Sequence, residues 1–190
     1  MKNLTILLRL NRVTGIRFLR TGLTVMLLSI FMTCFSSCTK TDKSVKEAYE
    51  LRINGKTHQA KELLLTIIKE DSTNAAAQFE LARTLDYINI MGSEEATKAL
   101  RDALKYDPKN VVYTYYNART CFLKAYIAME REGGNVKNLI NDVCNEYVKV
   151  LELKPDYSEA LMYLVEIYGM LPENMGGDKN KAEEYAQKLE

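Results

Sequence analysis

Small and apolar residues return along the chain at a fixed set of intervals. Ala60, Leu64, Ile67 and Ile68 stand at gaps of four, three and one, with Ser72 four residues further on. Ala96, Leu100, Ala103, Leu104 and Pro108 repeat those gaps, and so do Val143, Tyr147, Val150, Leu151 and Pro155. Ala182, Ala186 and Leu189 open a fourth set. Residues three and four apart share one side of a helix, so each set predicts an amphipathic helix. A second helical pattern lies upstream of each: Ala48 with Leu51, Leu81 and Ala82 with Leu85, Ala118 with Cys121, and Leu164 and Val165 with Tyr168. The chain therefore predicts four helix pairs, each a helix A followed by a helix B.

The spacing has a packing reason. A small residue where A crosses B lets the two helices approach closely, and the large residue one turn on fills the groove beside it. One pair cannot bury its apolar face alone, whereas stacked pairs can. Proline after helix B cannot continue the helix and turns the chain toward the next helix A.

The distance between equivalent small residues of A and B varies. It is 12 residues from Ala48 to Ala60, 14 from Ala82 to Ala96, 25 from Ala118 to Val143 and 17 from Val165 to Ala182. In the third pair the extra length is helical in character. Residues Val111 to Glu132 hold apolar side chains throughout and no Gly or Pro, which predicts one helix of about six turns. Gly133 and Gly134 end it, and Asn135 can cap the helix that follows. In the fourth pair a long turn with Pro172 and Gly176-Gly177 precedes Asp178, a well-placed N-cap for the last helix.

This pattern resembles the tetratricopeptide repeat (TPR). The residues carrying the likeness are Ala48, Leu51, Gly55, Ala60 and Leu64 in the first unit, and Leu81, Ala82, Leu85, Ala96, Leu100, Ala103 and Pro108 in the second. The repeats are divergent: the chain has no Trp, and the large residue of helix B is Leu, Leu, Tyr and Ala in turn. The likeness implies an all-α fold, a right-handed superhelix of stacked antiparallel helix pairs over residues 45–190. It also implies that helix A forms a concave wall for a protein or peptide partner. By that register the wall carries Tyr49 and Arg52, then Phe79, Arg83, Asp86 and Tyr87, then Tyr115, Arg119 and Phe122, and finally Met162 and Glu166.

The N-terminus has a different character. Lys2, Arg9, Arg12, Arg17 and Arg20 are its only charges, and the 13-residue apolar run Leu23 to Phe35 is too short to cross a bilayer. A basic leader, a short apolar core and small residues predict a secretory signal over residues 1–37. Phe35-Ser36-Ser37-Cys38 resembles the lipobox of bacterial lipoproteins, which implies a lipid on Cys38 and a short tether over residues 38–44. The plainer alternative is an uncleaved anchor with an incidental cysteine. Lipidation would place the protein in the bacterial envelope, on the outer membrane facing the periplasm.

Of 26 Lys and Arg, five lie in the leader, which leaves 21 against 25 Asp and Glu beyond it. So mildly acidic and evenly mixed a body lacks the basic footprint of a nucleic-acid binder. His58, the only histidine, sits in a turn without catalytic company. No metal-binding Cys/His spacing occurs, carboxylates are scattered on helix faces, and neither an enzyme nor a cofactor is expected. Cys121 and Cys144 could join helices A and B of the third unit by a disulfide, or remain two buried thiols. Two functions follow. The first is a lipid-anchored adaptor with a partner on its wall. The alternative is a ligand-binding accessory lipoprotein of a tripartite (TRAP-type) solute transporter, with a small molecule walled off beside the long helix. An open groove with Arg and Tyr favours the first, and an apolar closed pocket the second.

Overall fold

A computed structural model describes residues 42–89, 93–132 and 136–189. The leader, Cys38, Gly133, Gly134 and Asn135 lie outside these residues. Residues 48–190 form one compact unit, with which the account below is concerned.

Every long element among the described residues is an α-helix. They are α1 (42–53), α2 (Thr57–Glu70), α3 (Ala75–Ile88), α4 (Glu94–Tyr106), α5 (Val111–Glu132), α6 (Val136–Leu153), α7 (Ser158–Met170) and α8 (Lys179–Gln187), with a 3-10 turn at Glu173–Met175. The closest packing lies within pairs, α3 on α4, α5 on α6 and α7 on α8, while α2 lies on α3 and α6 on α7 between pairs. Helix α5 spans the whole of the expected 22-residue segment. One expectation is corrected: residues 42–44, assigned to a tether, are already helical in α1. Asp42 and Lys43 face solvent there, and Ser44 is half-buried.

The repeating small residues sit at the helix crossings. Ala48, Ala60, Ala82, Ala103 and Ala118 are all fully buried, and Ala96 and Val143 nearly so. The large residues one turn on from the helix B anchors, Leu64, Leu100 and Tyr147, are buried beside them. Full burial of a side chain such as Leu64 contributes about 1.5–3 kcal/mol. Ala182 is half-buried, and α8 leans on α7 with Tyr185 stacked on Tyr168 at 6.0 Å.

The turns between units are nearly identical despite different sequences. The N–H of Asn74 donates to the Asp71 carbonyl, Asn110 to Asp107, and Tyr157 to Lys154, at 3.3, 3.3 and 3.1 Å. Asn74 then caps α3 through the Ala77 N–H, and Asn110 caps α5 through the Val112 and Tyr113 N–H groups. Ser72 thus makes the same turn without the proline that Pro108 and Pro155 supply. The turn into α8 depends on glycine. Gly176 has φ +103°, and a Cβ on Gly177 would fall 1.7 Å from the Leu171 carbonyl oxygen. Asp178 accepts from the Asn180 and Lys181 N–H groups, as expected of an N-cap.

Candidate functional site on the helix A wall

The expected wall residues divide into an exposed set and a supporting set. Tyr49, Tyr87, Arg119, Met162 and Glu166 are exposed, and Arg83, Asp86, Tyr115 and Phe122 are half-buried. Arg52 and Phe79 are buried at 7% exposure each. They hold the wall from behind.

Arg52 of α1 donates through Nε to Glu80 Oε1 of α3 at 2.5 Å. Glu80 is itself buried, and its second oxygen lies 3.5 Å from Arg83 Nη1. Both guanidinium groups lie over aromatic rings: Arg52 is 5.3 Å from the centre of Tyr49, and Arg83 is 6.0 Å from Tyr49 and 5.7 Å from Phe79. Such stacking adds about 0.5–1 kcal/mol at exposed sites. Two guanidinium groups thus share one buried carboxylate at this end of the wall.

The next junction is aromatic. Phe79 stacks on Tyr113 at 4.3 Å and meets Tyr116 edge-on at 5.4 Å. The Tyr116 hydroxyl donates to Asp86 Oδ2 at 2.9 Å. Burial pushes the Asp86 carboxyl above its ordinary value, partly offset by that hydrogen bond and by Lys124. Burial and the facing Asp86 together push the Tyr116 phenol up.

Between α5 and α7 the wall opens into a hollow of about 310 Å³ lined by Tyr115, Glu159, Met162, Tyr163 and Glu166. Tyr147 of α6 lies behind it, fully buried, stacked on Tyr163 at 4.9 Å and tilted against Tyr115 at 6.3 Å. Tyr115 also meets Tyr157 at 5.0 Å, and Phe122 meets Tyr163 at 5.7 Å. Burial, then the neighbouring Tyr163 and Tyr115, push the Tyr147 phenol up.

A larger cleft of about 590 Å³ lies on the other side of α5, where α4 and α6 stand apart. Its rim is charged and solvent-exposed, with Arg101, Lys124, Lys149 and Glu152. Lys124 donates to Thr97 Oγ1 at 2.8 Å, and Asn117 and Lys149 both donate to Glu146, at 2.8 and 2.6 Å. Leu100, Leu104 and Leu153 give it apolar walls, but it is an open cleft and not the closed pocket expected of a small-molecule receptor.

The disulfide alternative is set aside. Cys121 and Cys144 are free thiols, half-buried and buried. Cys121 faces the α4–α6 cleft, whereas Cys144 lies beside Tyr168 of α7. Burial pushes both thiols up, Cys121 further by Glu146, while Tyr168 and Lys181 partly offset the rise at Cys144. Neither is an activated nucleophile. His58 lies exposed in the first turn of α2.

Glu80, Tyr116, Glu159 and Tyr163 were not among the expected residues. The signals were available: Glu80 precedes Arg83 by three, and Glu159, Tyr163 and Glu166 share the Met162 side of α7 by spacings of four and three.

No family model matches the sequence, and no curated protein matches it. Solved structures do match. MamA is 18% identical over 78% of this chain and 75% of its own, with a TM-score of 0.56. TTC0263, a thermophilic TPR protein of Thermus thermophilus, is 18% identical over 78% of this chain and 72% of its own, with a TM-score of 0.57. Human IFIT1, solved as a dimer with m7Gppp-AAAA, is 20% identical over 77% of this chain, with a TM-score of 0.60. This chain spans only 31% of it. Identities this low establish the fold: stacked helix pairs of the TPR type.

Proposed function

We propose that the protein is a scaffold that holds a protein or extended peptide on the helix A wall formed by α1, α3, α5 and α7. The carrying observation is the wall itself. Exposed Tyr49, Tyr87, Arg119 and Met162 stand on a layer locked from behind by the Arg52–Glu80 pair and the Phe79–Tyr113 stack. Tyr and Arg are favoured binding anchors, each with an apolar body and a polar tip. TPR-type neighbours support the same reading.

The address belongs to the proposal as well. The basic leader, short apolar core and Ser36-Ser37-Cys38 support export and lipid attachment at Cys38, with the wall facing the periplasm of a bacterial envelope. Multiple acyl chains hold a protein firmly, at about 0.8 kcal/mol per buried CH₂. The transporter-accessory reading has less support, because the cleft beside α5 is open to solvent behind a charged rim.

Two measurements test this. Cys38→Ser should move the protein from the membrane to the soluble fraction, and unchanged membrane association refutes the anchor. Arg83→Ala with Arg119→Ala should strip co-purifying partners from the protein, while a control on the opposite side, Lys69→Ala with Lys105→Ala, should retain them. Equal loss from both pairs, or retention by both, refutes the wall.

A further inference from the structure

We propose that the hollow between α5 and α7 receives one basic side chain, lysine or arginine, of the segment held on the wall. This rests on the wall being the contact face and adds what that segment must carry.

Two independent features converge there. The first is charge. Glu159 and Glu166 flank the hollow on one side of α7, both exposed, and neither has a salt-bridge partner among the described residues. Arg119, one turn beyond Tyr115 and outside the lining, offsets one of them and leaves a net negative site. The second is the aromatic lining. Tyr115 and Tyr163 border the space, and aromatic faces attract cations through their quadrupole. Met162 completes the apolar side and gives an alkyl stem a surface to lie along.

Behind these rings lies Tyr147 of α6, fully buried and outside the lining, stacked on Tyr163 and tilted against Tyr115, which backs both lining tyrosines. An ammonium or guanidinium group has only donors to offer, and every oxygen here can accept. An acidic side chain would instead meet Glu159 and Glu166 as like charges. The volume of about 310 Å³ is at the lower end of the small-ligand range, suited to one side chain and not to a folded segment.

The test uses the full-length protein in detergent micelles, selected against random dodecapeptides displayed on phage. Bound peptides should share one lysine or arginine. Replacing that residue with norleucine should weaken binding about tenfold, as should Glu159→Gln with Glu166→Gln in the protein, and the two changes together should cost little more than either alone. n-Butylammonium and n-butylguanidinium as competitors then distinguish a lysine-type from an arginine-type occupant. Peptides bound without a shared basic residue, or indifferent to the glutamine variant, overturn this inference and leave the wall standing. A shared acidic residue whose effect disappears in Arg119→Ala overturns it in favour of an anion. Failure to select any peptide counts against the wall itself.

Discussion

Glu80 offers the sharpest test of how the first two helix pairs are joined. It is the one carboxylate between Arg52 of α1 and Arg83 of its own helix, and the Arg52 and Glu80 side chains are only 9% and 6% exposed. Replacing Glu80 with Leu leaves the Arg52 charge buried without a counter-charge. Breaking such a pair from one side costs about 3–5 kcal/mol, while replacing both partners with apolar groups of similar volume is often neutral or better. Arg83, with 35% of its side chain exposed, can turn to water and adds little to the loss. Glu80→Leu should therefore destabilise by about 3–5 kcal/mol, and Arg52→Met with Glu80→Leu should recover most of that. In a repeat array each unit touches only its neighbours, so the loss should be local. Urea unfolding followed by circular dichroism gives the energies, and amide hydrogen exchange gives the location: faster exchange in α1 to α4, little change in α7 and α8. The reasoning is refuted if the single variant costs under about 1 kcal/mol, or if the double variant costs the sum of its parts.

Other expectations follow from single sites. Asp178→Ala removes an oxygen that accepts from two N–H groups at the start of α8 and should cost about 0.5–2 kcal/mol, read as faster hydrogen exchange confined to α8. Gly177→Ala should disrupt the α7–α8 turn, since the new Cβ would meet the Leu171 carbonyl oxygen at 1.7 Å. Gly55→Ala, with open space around it, should cost only the strain of φ +77°. The thermal midpoints of the two variants should differ accordingly. Asp86 gives a pH dependence. Its carboxyl is raised in the fold by burial, so ionisation costs more there than in the unfolded chain. That penalty is fully present above the raised value and disappears as pH falls below the ordinary value of 3.8. Asp86→Asn should gain stability relative to the parent near pH 7 and lose that advantage at about pH 3. A pH-independent difference between the two would contradict it.

The fold was legible because its signal is periodic. Small residues at crossings, large residues one turn on and the Asp178 cap are local features, and each lies where its spacing placed it. The 22 residues of α5 were readable for the same reason, as an unbroken apolar rhythm ended by glycines. The site was less legible because it depends on contacts between helices. Arg52 has the same surface-like chemistry as Arg83, and only the placement of Glu80 28 residues away draws it inward. Phe79 resembles an exposed anchor until Tyr113 and Tyr116, from the next unit, close over it. Tyr147 reads as a filler of the helix B groove, and it is one. Its unpartnered hydroxyl behind Tyr115 and Tyr163 is a fact of three dimensions. Cys121 and Cys144 stand as free thiols with different neighbours, a distinction that membership of one unit does not reveal.

The most direct test of the central claim is site-specific photocrosslinking in intact cells. A benzoylphenylalanine placed at Tyr87 or Met162, on the helix A wall, should capture a partner. The same probe at Lys69 or Lys105, on helices α2 and α4, should capture none or far less. Crosslinks that form chiefly from α2 and α4, with Tyr87 and Met162 silent, would contradict the account.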